Sequence, residues 1–202
     1  MNTLRRSGGP RRGGAPEPEE GRPRLDGGPR LPFYDLVPTA YHEAFHQYLQ
    51  SYIGKGVDVP TWFNEGMASY FEKMQETRGT KKLDHKSIDN RKLRMIQEKI
   101  ATRSAIPLEK LIDAPYSQFH DKESSQLEGL YYTQSFAVIY YFMQAMGGKP
   151  VFQFADELRK SKDPAKAYEK MFGKERKNLK SVEAKWKQYT ADVKVQEPPK
   201  RS

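Results

Sequence analysis

One run of residues constrains this chain more than any other. Tyr41, Ala44, Phe45, Tyr48, Leu49, Tyr52 and Ile53 follow the i, i+3, i+4, i+7, i+8, i+11, i+12 template of an amphipathic helix. The pattern predicts a helix from about Thr39, stopped by Gly54 and Gly56. After the connector Val57–Pro60, Thr61 reads as the N-cap of a second helix reaching about Thr77. Arg78 to Lys86 reads as a polar loop, and Ser87 as the cap of a third helix carrying Ile88, Leu93, Ile96 and Ile100 to about Thr102. A helical turn at Pro107–Ile112 and a loop from Ala114 to Ser125 follow.

Gly129 to Met146 is a long apolar stretch closed by Gly147-Gly148. Its several Tyr and two Gln make it a buried helix, not a membrane span. Helices at Val151–Lys160, at Pro164–Phe172 between a capping Asp163 and a stopping Gly173, and from Asn178 to about Val193 complete the reading. The last places Leu179, Val182, Trp186 and Tyr189 on one side. The fold class expected is mainly α, in one domain over residues 33–193, with tails at 1–32 and 194–202 expected to be disordered.

Composition narrows the chemistry. No cysteine is present, which excludes disulfide scaffolds, thiolate zinc fingers and cysteine nucleophiles. The net charge of +9 belongs mostly to the two ends. The basic face from Lys174 to Lys187 lacks an interleaved aromatic platform, so nucleic acid is not the expected partner. No run is long and apolar enough for a transmembrane segment, and no secretory signal is visible. The expectation is a cytoplasmic protein, or a secreted or envelope protein if the N-terminus is incomplete.

The chemistry gathers on the first helix, in His42-Glu43-Ala44-Phe45-His46. Residues four apart lie one turn apart on nearly the same face, so His42 and His46 can offer two imidazole nitrogens to one Zn²⁺. Glu43 stands beside them, placed to take a proton from a water but poorly aimed as a ligand. A third ligand is needed, and the segment Trp62 to Glu72 supplies Glu65, opposite His46 if the two helices pack antiparallel. Gly66 removes a side chain where helices and metal must come close. Glu72 lies two turns on from Glu65, on the same face, and is a candidate acceptor for a ligand His N–H. His85 and His120 fall in polar loops and are expected to be exposed, without a metal role. The tyrosines from Tyr131 to Tyr141 read as core, Tyr132 excepted.

This segment resembles the gluzincin zinc metallopeptidases, in which HExxH is followed by a Glu after eighteen residues; here residues 47–64 form that spacer. Trp62-Phe63-Asn64-Glu65-Gly66-Met67-Ala68 is similar to the stretch around the third ligand in the aminopeptidase N type. Tyr132-Thr133-Gln134-Ser135-Phe136-Ala137, running on to Gly147-Gly148, is similar to the helix that follows that family's oxyanion tyrosine. The small size looks most like the bacterial peptidase MA-like domains. The resemblance implies a zincin-like helical catalytic core with little or none of the usual upstream β-sheet. It implies one Zn²⁺ on His42, His46 and Glu65, Glu43 as general base and Tyr132 as oxyanion donor, acting on a peptide or protein substrate. Tyr131 is the rival for that last role, since adjacent helix positions point about 100° apart and only one can face the metal. The acidic loop with which aminopeptidases hold a free amine has no counterpart before His42, so exopeptidase activity is not implied. The alternative is a non-catalytic metal-binding or interaction domain.

Overall fold

In a computed structural model, residues 33–72, 75–77, 82–84, 88–120 and 125–194 are described. All lie in the unit Pro32–Ser202. The expectations for the tails and for an upstream sheet fall on residues outside these, as do those for Ser87 and His85.

The architecture is mainly helical: α1 (Phe33–Ile53), α2 (Thr61–Glu72), α3 (Asn90–Ala101), α4 (Leu108–Ile112), α5 (Tyr116–Phe119), α6 (Ser125–Ala145), α7 (Lys149–Ser161), α8 (Pro164–Phe172) and α9 (Leu179–Asp192). Two three-residue strands, β1 (Gln75–Thr77) and β2 (Lys82–Asp84), pair antiparallel between α2 and α3 with Glu76 opposite Leu83. Among the described residues no helix is long and apolar enough to cross a membrane.

Helix α2 is the centre. Every residue from Trp62 to Tyr70 is buried except Asn64, because both α1 and α6 pack against this helix. Trp62 and Phe63 are fully enclosed against Phe154 of α7. The Trp62 indole N–H donates to the Tyr168 hydroxyl at 3.0 Å, which donates in turn to the Ile112 carbonyl at 2.8 Å. That chain satisfies polar atoms that would otherwise be costly to bury. Gly66 is where α6 comes closest: a Cβ there would lie 2.8 Å from both the Ser135 carbonyl oxygen and Ile139 Cγ1. The close partner of Gly66 is therefore the α6 backbone.

The connector from α1 to α2 turns on Gly54 and Gly56, whose φ values of +108° and +78° suit glycine. Lys162 closes the end of α1 by donating to the Ile53 carbonyl. A second clamp holds the segment before α4: the buried Gln134 amide accepts from Ile106 N–H at 2.9 Å and donates to Ile106 C=O at 2.5 Å. One helix side chain thus replaces a strand neighbour for an otherwise unpaired peptide group.

Several boundaries differ from those expected. Helix α1 begins at Phe33, not Thr39, and runs through Pro38. Proline there forfeits one hydrogen bond near the helix start without ending the helix. Helix α2 stops at Glu72, and Gln75–Thr77 is strand. The N-cap of α3 is Asp89, whose carboxylate accepts from Arg91 N–H at 2.9 Å and Lys92 N–H at 3.2 Å. The loop from Ala114 holds the short α5, and α6 starts four residues before Gly129. Helix α8 runs over Pro164–Phe172 between Asp163 and Gly173, as read. The apolar stripe of α1 is only half covered: Phe45, Leu49 and Ile53 are buried, while Tyr41, Tyr48 and Tyr52 are exposed.

Candidate metal centre

Because α1 and α2 are joined by a short turn and packed side by side, the His42–His46 face of α1 meets the Glu65–Glu72 face of α2. Glu65 is buried, 6% exposed, so its carboxylate needs charged or hydrogen-bonding partners. It has two: Glu65 Oε2 lies 3.4 Å from His42 Nε2 and 3.6 Å from His46 Nε2. One ligand atom from each of the three residues lies within 4.8 Å of the others. Two donors on a tetrahedral Zn²⁺, each at about 2.0–2.1 Å, stand about 3.3–3.4 Å apart. The two contacts to the carboxylate are close to that edge length, and two imidazoles with a carboxylate are a donor set that suits the ion in chemistry.

The far side of each imidazole is also held. His46 Nδ1 donates to Asn64 Oδ1 at 2.9 Å. His42 Nδ1 faces Glu72 Oε2 at 3.5 Å, and Lys92 Nζ stands 3.7 Å from that same oxygen. Both acceptors draw the ring proton to Nδ1 and leave Nε2 turned toward Glu65, the arrangement that fixes ligand histidines. The rings meet edge to face with centroids 4.8 Å apart. The carboxylates of Glu65, first, and Glu72 raise the His42 pKa to about 9, burial opposing them. A field that holds a proton so firmly favours a dication in its place.

Of the remaining expected site residues, Glu43 is exposed beside the two histidines on α1. On α6 the neighbouring tyrosines divide. Tyr131 is buried against Phe119, and desolvation raises its pKa. Tyr132 is half-buried, with its hydroxyl 3.1 Å from His120 Nε2. His120 is therefore not the exposed loop residue expected: it is half-buried, stacked on Tyr116 and bonded to Tyr132. Sequence reasoning also missed the role of Asn64. The signal was there, since Asn64 precedes Glu65 and stands eighteen residues from His46 across an antiparallel pair.

A family model described as "Protein of unknown function (DUF1570)" matches residues 36–165. The chain belongs to the DUF1570 family. The match takes in His42, Glu43, His46, Asn64, Glu65, Glu72, His120 and Tyr132, and leaves α9 outside. No curated protein and no solved structure matches the chain.

Proposed function

We propose that this DUF1570 chain is a zinc-dependent peptidase of the gluzincin kind, hydrolysing a peptide bond in a peptide or protein substrate. The observation that carries the reading is the convergence of His42 Nε2 and His46 Nε2 on Glu65 Oε2, at 3.4 and 3.6 Å. His42, His46 and Glu65 would hold the ion, with Glu72 and Asn64 orienting the two rings. Bound there, Zn²⁺ supplies Lewis acidity, which polarises a carbonyl and acidifies water.

The protein's own groups do the rest. Glu43, exposed beside the ligands, takes the proton of the attacking water and passes it to the departing amine. Tyr132 donates its hydroxyl to the carbonyl oxygen as charge develops there. The burial of Tyr131 in the α5–α6 packing favours Tyr132 for that role.

A second reading, a metal-binding interaction domain without turnover, draws on the aromatic face of α1. Tyr41, Ala44, Phe45 and Tyr48, with Phe71, line an open cavity of about 370 Å³ there. Glu43→Gln separates the two. Zinc content per chain is measured on untagged protein beside hydrolysis of fluorescein-labelled casein. The peptidase reading expects about one zinc in both forms and at least a hundredfold loss of hydrolysis in the variant. Zinc without casein hydrolysis in the wild type would favour the interaction domain.

A further inference from the structure

His120 lies twelve residues before Tyr132, outside the metal centre, and three contacts hold it. Its ring stacks on that of Tyr116, with centroids 3.9 Å apart and planes 18° from parallel. Its Nδ1 lies 3.2 Å from the Tyr116 carbonyl oxygen, and its Nε2 lies 3.1 Å from the Tyr132 hydroxyl. The support beneath is firm, because the fully buried Phe119 wedges between Tyr131 and Tyr132 with centroid distances of 5.1 and 5.6 Å.

The chemistry of these partners decides where hydrogens lie. A carbonyl oxygen can only accept, so His120 Nδ1 carries a hydrogen. In the neutral ring Nε2 is then a bare lone pair, and the Tyr132 O–H donates to it. A phenol has one hydrogen, and committed to His120 it cannot also be given to a substrate oxygen. In the doubly protonated form of an imidazole Nε2–H is the donor instead. The Tyr132 oxygen accepts, and its own hydrogen is turned outward and made a stronger donor by the cation behind it. Among the described residues, the titratable groups facing the ring are Tyr116 on α5 and Tyr132 on α6.

We propose that His120 is the positioning residue for Tyr132, setting by its Nε2 whether the phenol hydrogen points inward or toward the substrate. The proposal rests on the reading that Tyr132 is the oxyanion donor.

The test uses the full zinc-loaded chain, with labelled casein as probe. Tyr132→Phe is expected to lower kcat about a hundredfold. His120→Ala, compared at a pH where the wild-type ring is doubly protonated, is expected to lower it about tenfold, with KM and zinc content unchanged. His120→Gln places a permanent N–H donor near the Nε2 position, so it should recover most of that loss and flatten the pH profile. In the double variant, His120→Ala should add nothing to Tyr132→Phe. Additive losses, or a glutamine variant no better than alanine, would overturn the proposal. A Tyr132→Phe variant with full kcat would instead sink the underlying reading.

A measurement independent of turnover is the ¹⁵N spectrum of the imidazoles. It should show neutral His120 as the Nδ1–H tautomer, with an Nε2 resonance that moves in Tyr132→Phe. The opposite tautomer, or an unmoved Nε2, would overturn the proposal whatever the activity.

Discussion

Replacing Gly66 by alanine tests the packing on which the site depends. Added to α2, a Cβ would stand 2.8 Å from the Ser135 carbonyl oxygen and 2.8 Å from Ile139 Cγ1, against 3.4 Å or more for an ordinary contact. The isoleucine can rotate, but the carbonyl belongs to the α6 backbone, so α6 must retreat by about half an ångström. Overpacking of this kind costs about 1–3 kcal/mol. Alanine's better helix propensity returns about 0.5–1 kcal/mol. The net is a loss of up to about 2.5 kcal/mol, or up to about 10 °C in Tm for a domain of this size. Gly129 is the control: it also lies in a helix, α6, and a Cβ there meets nothing within 4 Å. Gly129→Ala should therefore stabilise by about 0.5–1 kcal/mol. Urea unfolding followed by circular dichroism gives both numbers. If the two alanine variants shifted stability equally and in the same direction, the closeness of α2 to α6 would be refuted.

Three other outcomes are expected. Glu72→Gln and Asn64→Ala should each weaken zinc binding about 10- to 100-fold by freeing one imidazole to turn, as measured by competition with a chromophoric chelator. The His42 pKa, raised from 6.5 to about 9 chiefly by Glu65, makes stability in excess chelator depend on pH. The contribution of that proton is fully present below about pH 6.5 and is lost as pH rises through about 9. Zinc competes for the same nitrogen, so its apparent affinity should climb with pH by about tenfold per unit over that window. Urea midpoints and zinc titrations from pH 6 to 9.5 would show opposite slopes. Tyr168→Phe would leave the Trp62 N–H and the Ile112 carbonyl without their shared partner, and should cost about 1–3 kcal/mol in urea unfolding.

The parts of this molecule legible beforehand are those where one short stretch carries both periodicity and chemistry. His42 and His46 sit one turn apart in a strong helical pattern, so their common face follows from helix geometry. Glu65 and Glu72 are likewise in phase on the next helix, and the short connector leaves α2 little choice but to turn back along α1. What escaped depends on which surface receives which neighbour. The seven-residue stripe of α1 does not say that only the Phe45–Leu49–Ile53 side has a partner. His120 looked solvated because no local period marks it, yet stacking on Tyr116 and the reach of Tyr132 bring it into the packing. The start of α1 escaped as well: the apolar template begins at Tyr41, whereas the helix begins at Phe33 and runs through Pro38, where a lost N–H costs one bond and not the helix.

The contrast between the two tryptophans has an optical consequence. Trp62 and Trp186 are both fully buried, whereas the large exposed hydrophobic side chains are tyrosines, a methionine and a phenylalanine. Indole emission from this chain therefore comes wholly from its interior. The two indoles differ in polarity: Trp62 donates to Tyr168, while Trp186 Nε1 is buried without a hydrogen-bond partner among the described residues. Trp186 should emit at the bluer wavelength, and it stands on α9. Trp62 stands three residues from Glu65, on the same helix. The chain thus carries two intrinsic fluorophores of distinguishable colour, one on the helix that carries Glu65 and one reporting the rest of the core.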